Sequence, residues 1–70
     1  MSEYVVIYEQ AEDGGWGAHL PDLPGVVALG QTRGEVERGI YEALEAYAVE
    51  ARQNGCPLPV PVHQVGTVSV

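Results

Sequence analysis

Residues 20–25 read Leu-Pro-Asp-Leu-Pro-Gly, and this stretch decides how the first half of the chain folds. Its two prolines fix φ and remove backbone donors, which ends a strand, and Gly25 permits a turn. Asp22 is a residue type that caps local backbone N–H groups in such turns, although a general base is the alternative. We therefore predict a chain reversal here, with a strand on each side.

Three strand-forming segments surround this reversal. Residues 16–20 lead into it, and residues 26–29 follow it and end at Gly30. Residues 4–8, Tyr-Val-Val-Ile-Tyr, are apolar on both faces, which is typical of a central strand covered on two sides. Glu-Asp-Gly-Gly at residues 12–15 favours a tight hairpin. The first half of the chain is thus predicted to be a three-stranded antiparallel meander.

One long helix is predicted after the third strand. Thr32 and Glu35 fit a capping box, and Asn54-Gly55 supplies a C-terminal stop. Gly39, inside the helix, costs about 1 kcal/mol relative to alanine. We interpret it as a close approach of the helix to a strand, with simple tolerance as the alternative. The residues predicted to form the buried face recur at spacings of three and four: Val36, Ile40, Ala43, Leu44, Tyr47 and Ala51.

The C-terminal part of the chain is rich in proline. In Pro57-Leu58-Pro59-Val60-Pro61-Val62, prolines of one parity remove every donor from one edge of an extended segment. This pattern predicts an edge strand whose outer side is blunted against further pairing, with polyproline II as the competing conformation. The predicted fold is α+β with the order β-β-β-α-β and the helix packed on the sheet. The domain spans residues 1–62, and residues 63–70 form a tail or one more strand.

The composition limits the classes of partner. Ten acidic and three basic residues give a net charge of −7, with no lysine among the 70 residues. Binding to a phosphate backbone depends chiefly on lysine and arginine, so direct nucleic-acid binding is not expected. The acidic charge either maintains solubility or steers the chain towards basic partners. A domain this small usually needs extra stabilisation, and we therefore predict a homo-oligomer.

Catalytic and metal-binding signatures are missing from the sequence. Cys56 is the single cysteine, and with an N-terminus that lacks a basic region it predicts a cytoplasmic protein without a membrane segment. His19 and His63 do not have metal-ligand spacing. A metal-dependent nuclease acting through Asp22 was a third hypothesis, but it needs carboxylates that converge on two ions. We predict no enzymatic activity, no cofactor and no metal.

Taken together, these segments resemble the HicB-like antitoxin family over residues 3–62. The resemblance rests on Glu-Asp-Gly-Gly-Trp at 12–16, Leu-Pro-Asp-Leu-Pro-Gly at 20–25, Gly-Gln-Thr at 30–32 and the prolines of 57–61. It implies a partial ribonuclease H-like fold without nuclease activity. Family members bind and neutralise a small basic toxin, HicA, that cleaves messenger RNA. Many also carry a C-terminal DNA-binding domain; because eight residues follow Val62 in this sequence, we do not expect operator binding.

The first functional hypothesis is therefore an antitoxin that inhibits a basic HicA-like toxin. The alternative is an orphan HicB-like oligomeric scaffold or regulatory module that has no toxin partner. It would associate through the tail, residues 63–70, or through the outer face of the helix around Val49. Trp16 suits a partner contact but also suits core packing, and both roles remain open. The predicted partner-binding residues lie in the hairpin and the 20–25 turn: Glu12, Asp13, Trp16, Asp22 and Leu23.

Overall fold

Three antiparallel strands and one long helix form the regular structure of residues 3–70, which are the residues that the computed structural model describes. The strands are β1 (Ile7–Gln10), β2 (Trp16–His19) and β3 (Val27–Gly30), and they lie in that order in one sheet. The helix α1 spans Arg33–Gln53 and packs across β3 and β2. The predicted α+β meander followed by a long helix is confirmed.

The two connections in the sheet follow from their turn residues. In the first hairpin, Ala11 N–H donates to Gly15 C=O at 2.8 Å, and Gly14 has a φ of +93°. The second connection consists of two successive turns. Leu23 N–H donates to Leu20 C=O, and Val26 N–H donates to Leu23 C=O, both at 3.1 Å. Each of these turns has a proline at its second position, where the fixed φ of proline fits.

The helix begins as the capping box predicts. Glu35 N–H donates to Thr32 Oγ1 at 3.1 Å, which satisfies one of the free donors of the first turn. The carboxylate of Glu35 accepts from Gln31 N–H at 2.9 Å, one residue before the N-cap. At the other end, Asn54 is the C-cap and Gly55 has a φ of +70°. The predicted start and stop of the helix are therefore confirmed.

The core lies between the sheet and the first half of α1. Its helical members are Val36 and Ile40, both buried, whereas Tyr47 further along the helix is exposed. The predicted apolar face of the helix is thus covered by the sheet only over its first turns. Within residues 3–70, the buried apolar residues are Ala18, Leu20, Leu23, Val26, Val36 and Ile40.

The helix approaches the sheet closely at Gly39. A Cβ atom added at this position would lie 3.0 Å from the Cβ of Ala28 on β3. This separation is shorter than the 3.5–4.0 Å at which carbon atoms pack well. The prediction that Gly39 permits a close approach of helix and strand is confirmed.

Two predictions differ from the structure. The first strand starts at Ile7 rather than at residue 4, and it lies at an edge of the sheet instead of at the centre. The proline-rich segment 57–62 forms no strand. The segment is instead held by contacts such as a hydrogen bond from the Tyr4 hydroxyl to Pro59 C=O. Residues 63–70 also lack helix and strand.

Candidate interaction surface

The predicted site residues of the hairpin are exposed at one end of the sheet. Glu12 and Asp13 both lie in the turn between β1 and β2. Asp13 Oδ1 accepts from Gly15 N–H at 3.0 Å, which stabilises the turn locally. These two carboxylates therefore place negative charge at the hairpin end of the sheet, where a partner can reach it.

Trp16 and Leu23 contribute to the interior instead. Trp16 is half-buried at the start of β2 and packs against the core, which favours the packing role for this residue. The Leu23 side chain is 0% exposed. Because it has no accessible surface in this fold, Leu23 cannot serve as the contact residue that the sequence suggested.

Asp22 holds the C-terminal segment against the turn. Its side chain is only 3% exposed. Oδ1 accepts from Val62 N–H at 3.1 Å and lies 2.6 Å from Nδ1 of His63, while Oδ2 accepts from His63 N–H at 3.4 Å. The Asp22 carboxylate thus caps backbone N–H groups, which is the role that the sequence predicted. The capped groups, however, begin 40 positions further along the chain instead of lying in the local turn. We call this set of contacts the Asp22 clamp.

The surroundings of Asp22 also change its pKa. Burial of the carboxylate opposes ionisation and by itself would raise the pKa. The hydrogen bonds from the His63 ring and from the two backbone N–H groups, together with the charge of His63, outweigh this effect and lower the pKa. The ionised form of Asp22 is therefore the form that holds the C-terminal segment.

The Asp22 clamp is expected to open only in acid. Because folding lowers the pKa of Asp22, its contribution is fully present above the ordinary aspartate value of about 3.9 and is lost as the pH falls through the lower folded-state value. The amide proton shifts of Val62 and His63, followed by NMR against pH, should change with a midpoint below that ordinary value. In Asp22→Asn this titration should disappear. A midpoint at or above the ordinary value would contradict the clamp.

The face of the sheet opposite the helix is largely apolar and uncovered. The strand register places Ile7, His19 and Val27 in one row across this face and Glu9, Gly17 and Leu29 in the next. Ile7 is 38% exposed, Val27 59% and Leu29 88%. We call this surface, formed by these six residues, the outer sheet face.

A shallow groove of about 680 Å³ runs over this face. Gly17 has no side chain that could fill the groove. A Cβ atom at this position would lie 3.2 Å from Cδ2 of Leu29. Glu9 and Asp13 line the groove, and Glu12 neighbours Asp13 in the hairpin. The outer sheet face therefore combines apolar side chains with carboxylates on one side, which is an arrangement suited to protein contacts.

Sequence reasoning did not identify the outer sheet face, although a signal for it was present. The first strand region is apolar on both sides, and this pattern was interpreted as a doubly covered central strand. In the structure the helix covers one side only, and nothing in residues 3–70 covers Val27 and Leu29. The second apolar side marks a surface that the described chain leaves open.

A second groove lies on the helix, away from the sheet. It has a volume of about 700 Å³ and is lined by Val49 together with Glu42, Glu45 and Glu50. Val49 is 43% exposed, close to the value for Ile7. This surface is more acidic and less apolar than the outer sheet face, and it supplies matched control positions for experiments on that face.

Within residues 3–70, no group of three or more His, Cys, Asp or Glu side chains is placed to hold a metal ion. Among the helices of the described residues, none has the length and apolar character required to cross a membrane.

Comparison with known proteins identifies the family. The chain is 33% identical over 57 residues to a UPF0150 protein of the archaeon Thermoplasma acidophilum, and the match covers 81% of this chain and 83% of the relative. The chain belongs to the UPF0150 family. No family model and no solved structure matches the chain. The UPF0150 assignment therefore rests on a relative of similar length that is matched over most of both chains.

Proposed function

We propose that this UPF0150 protein is a HicB-like antitoxin that binds and inhibits a small basic HicA-like toxin that cleaves messenger RNA. The observation that carries this proposal is the outer sheet face, an open apolar surface with carboxylates beside it. Family membership and the sequence resemblance to HicB-like proteins support the same role. The protein acts by binding, with no catalytic step and no cofactor.

The outer sheet face suits a basic protein partner in two ways. Ile7, Val27 and Leu29 supply apolar area that loses contact with water on binding, which is the main source of affinity at an interface. Glu9, Glu12 and Asp13 supply negative charge near that area. Together with the net charge of −7, this charge speeds the encounter with a cationic toxin and disfavours nucleic acid.

The partial ribonuclease H-like topology belongs to the same proposal. In that topology the segment 57–62 is an edge strand of the sheet. The Tyr4–Pro59 hydrogen bond and the Asp22 clamp hold the middle and the C-terminal end of this segment on the domain. Binding of a partner that places the segment against the sheet would complete the predicted edge strand.

Ile7→Asp is expected to weaken toxin binding by about 10–30-fold, because a charge replaces an apolar contact in the proposed interface. Val49→Asp, a matched change on the helix, should leave the affinity within about 2-fold. The measurement is calorimetric titration with a small basic HicA-like protein, for which the reading frame next to this gene is the first place to look, supported by growth rescue on co-expression. A toxin that stays fully active with the unaltered protein would refute the antitoxin role. Equal losses of affinity in the two variants would show that the interface does not lie on the outer sheet face.

The second candidate function is that of an oligomeric scaffold or regulatory module without a toxin partner, and exposed valines support it. Val65, Val68 and Val70 in the C-terminal tail are all strongly exposed. Apolar side chains of this kind become buried when copies associate. If the tail forms the interface, removal of residues 63–70 should convert an oligomer to a monomer in sedimentation equilibrium. An oligomer that persists after this deletion would remove the tail from the interface.

A further inference from the structure

The free edge of β3 presents backbone groups that have no partner within residues 3–70. Leu20 N–H donates to Val26 C=O. Since hydrogen-bonded and non-hydrogen-bonded pairs alternate along an antiparallel ladder, Ala18 and Ala28 form the next hydrogen-bonded pair. The N–H and C=O groups of Val27 and Leu29 therefore point away from β2, towards solvent.

The edge of β3 lacks the sequence features that normally prevent an edge strand from pairing with another chain. Strand β3 has the sequence Val-Ala-Leu-Gly, with no charged residue and no proline. Natural edge strands are usually blunted by charges, prolines or bulges, and an apolar edge without them pairs readily. The opposite edge strand differs, because β1 carries a charged residue, Glu9. A charge blunts the β1 edge, whereas the β3 edge has none.

We propose that β3 pairs antiparallel with β3 of a second copy of this chain, about a two-fold axis that passes through Ala28. Val27 then faces Leu29 of the second copy, and the two residues exchange both of their backbone hydrogen bonds. The symmetry repeats this pair, so all the outward-pointing groups of both strands are satisfied. Such two-fold interfaces are the commonest form of self-association.

The residues flanking β3 exclude the neighbouring registers. An axis through Leu29 would require hydrogen bonds from Gln31, but Gln31 N–H already donates to the Glu35 carboxylate at 2.9 Å. An axis through Val27 would require an extended Gly25, which instead has a φ of +99° in its turn. Only the register centred on Ala28 uses groups that are all available.

The resulting dimer has one continuous six-stranded sheet. Its seam contains no charged strand residue, so the net charge of −7 on each copy opposes pairing least at this place. On the helix side the seam holds two alanines, which leave room for the two α1 helices. On the other side, Val27 and Leu29 of both copies form cross-strand apolar pairs that widen the outer sheet face. This dimer does not depend on toxin binding and is tested without a toxin.

Leu29→Pro is expected to convert the dimer to a monomer, which halves the mass measured by sedimentation equilibrium at micromolar concentration. Proline removes an N–H that points away from β2, so the intramolecular ladder is retained. Gln10→Pro is the matched control, because Gln10 N–H points outward from β1 in the same way, and this variant should remain a dimer. A monomeric unaltered protein, or a dimeric and folded Leu29→Pro variant, would overturn the proposal.

Disulfide trapping tests the register without requiring proline to be tolerated. In a Cys56→Ser background, Val27→Cys and Leu29→Cys are prepared as separate proteins. In the proposed register the two positions have Cα atoms about 5.5 Å apart, within disulfide range. Each position lies roughly 8–9 Å from its own symmetry mate, which is too far. Mixing the two proteins should therefore give a disulfide dimer that neither gives alone, and equal trapping in the separate proteins would reject the register.

Discussion

Replacement of Leu23 by alanine is expected to lower the free energy of unfolding by about 2–5 kcal/mol. Leu23 is 0% exposed and belongs to a small core, which contains six buried apolar residues in the part of the chain that the structure describes. The substitution removes packed methyl groups and leaves a cavity, because the turns around Leu23 are held by their own hydrogen bonds. A 70-residue domain has stability near the low end of the usual 5–15 kcal/mol, so much of the population should unfold on warming.

Leu29→Ala is the matched control for this prediction. The same atoms are removed, but from a side chain that is already in water, so the change should stay within about 0.5 kcal/mol in dilute solution. Urea unfolding followed by circular dichroism measures both variants. If the two variants unfold at the same urea concentration, the packing assigned to Leu23 is wrong.

The same comparison separates folding from binding. Leu23→Ala should reduce toxin neutralisation only in proportion to the unfolded fraction, and recovery is expected on cooling. Ile7→Asp should reduce neutralisation with the fold intact. Leu23 thus affects toxin neutralisation through folding, whereas Ile7 affects it through binding.

Local features of the fold were predictable from the sequence because nearby residues determine them. The hairpin at residues 12–15 and the double turn at residues 20–25 depend on glycine and proline dihedral preferences. The capping box at Thr32 and Glu35 depends on side chains within one helical turn. These features form in the structure because no distant contact opposes them.

Features that depend on distant contacts were not predictable in the same way. The Asp22 clamp joins residues separated by 40 positions, and no repeating pattern in the sequence indicates that they are in contact. The proline pattern at residues 57–62 restricts which side of the segment can pair, but it does not determine whether the segment pairs with the sheet at all. The apolar pattern of residues 4–8 indicated two covered faces, whereas the helix covers only one.

The candidate site shows the same difference between local features, which were predictable, and features that depend on distant contacts. Glu12 and Asp13 were correctly expected at the surface, since polar turn residues face water. Leu23 was placed at the surface because its turn is at the surface, yet its side chain points into the core. The outer sheet face was not predicted because the faces of a strand alternate, and contacts such as that of Gly39 with Ala28, distant in sequence, decide which parity of β3 lies under the helix.

Gly39→Leu is expected to lower the free energy of unfolding by about 1–3 kcal/mol, in spite of the better helix propensity of leucine. A Cβ at this position already lies 3.0 Å from the Cβ of Ala28, so a larger side chain must push α1 away from β3. The displacement would loosen the packing of Val36 and Ile40, the two buried residues of the helix.

Gly34 provides the control for the helix effect, since an added Cβ there would meet only Thr32 Oγ1, at 4.0 Å. Gly34→Ala should therefore gain up to about 1 kcal/mol from helix propensity, whereas Gly39→Ala should gain less or lose stability. In an Ala28→Gly background the contact is absent, and Gly39→Ala should recover the propensity gain. Chemical denaturation of the unaltered protein, the two single variants at residues 28 and 39 and the double variant completes this double-mutant cycle. An equal effect of Gly39→Ala with and without Ala28 would show that the close approach of helix and strand does not limit residue 39.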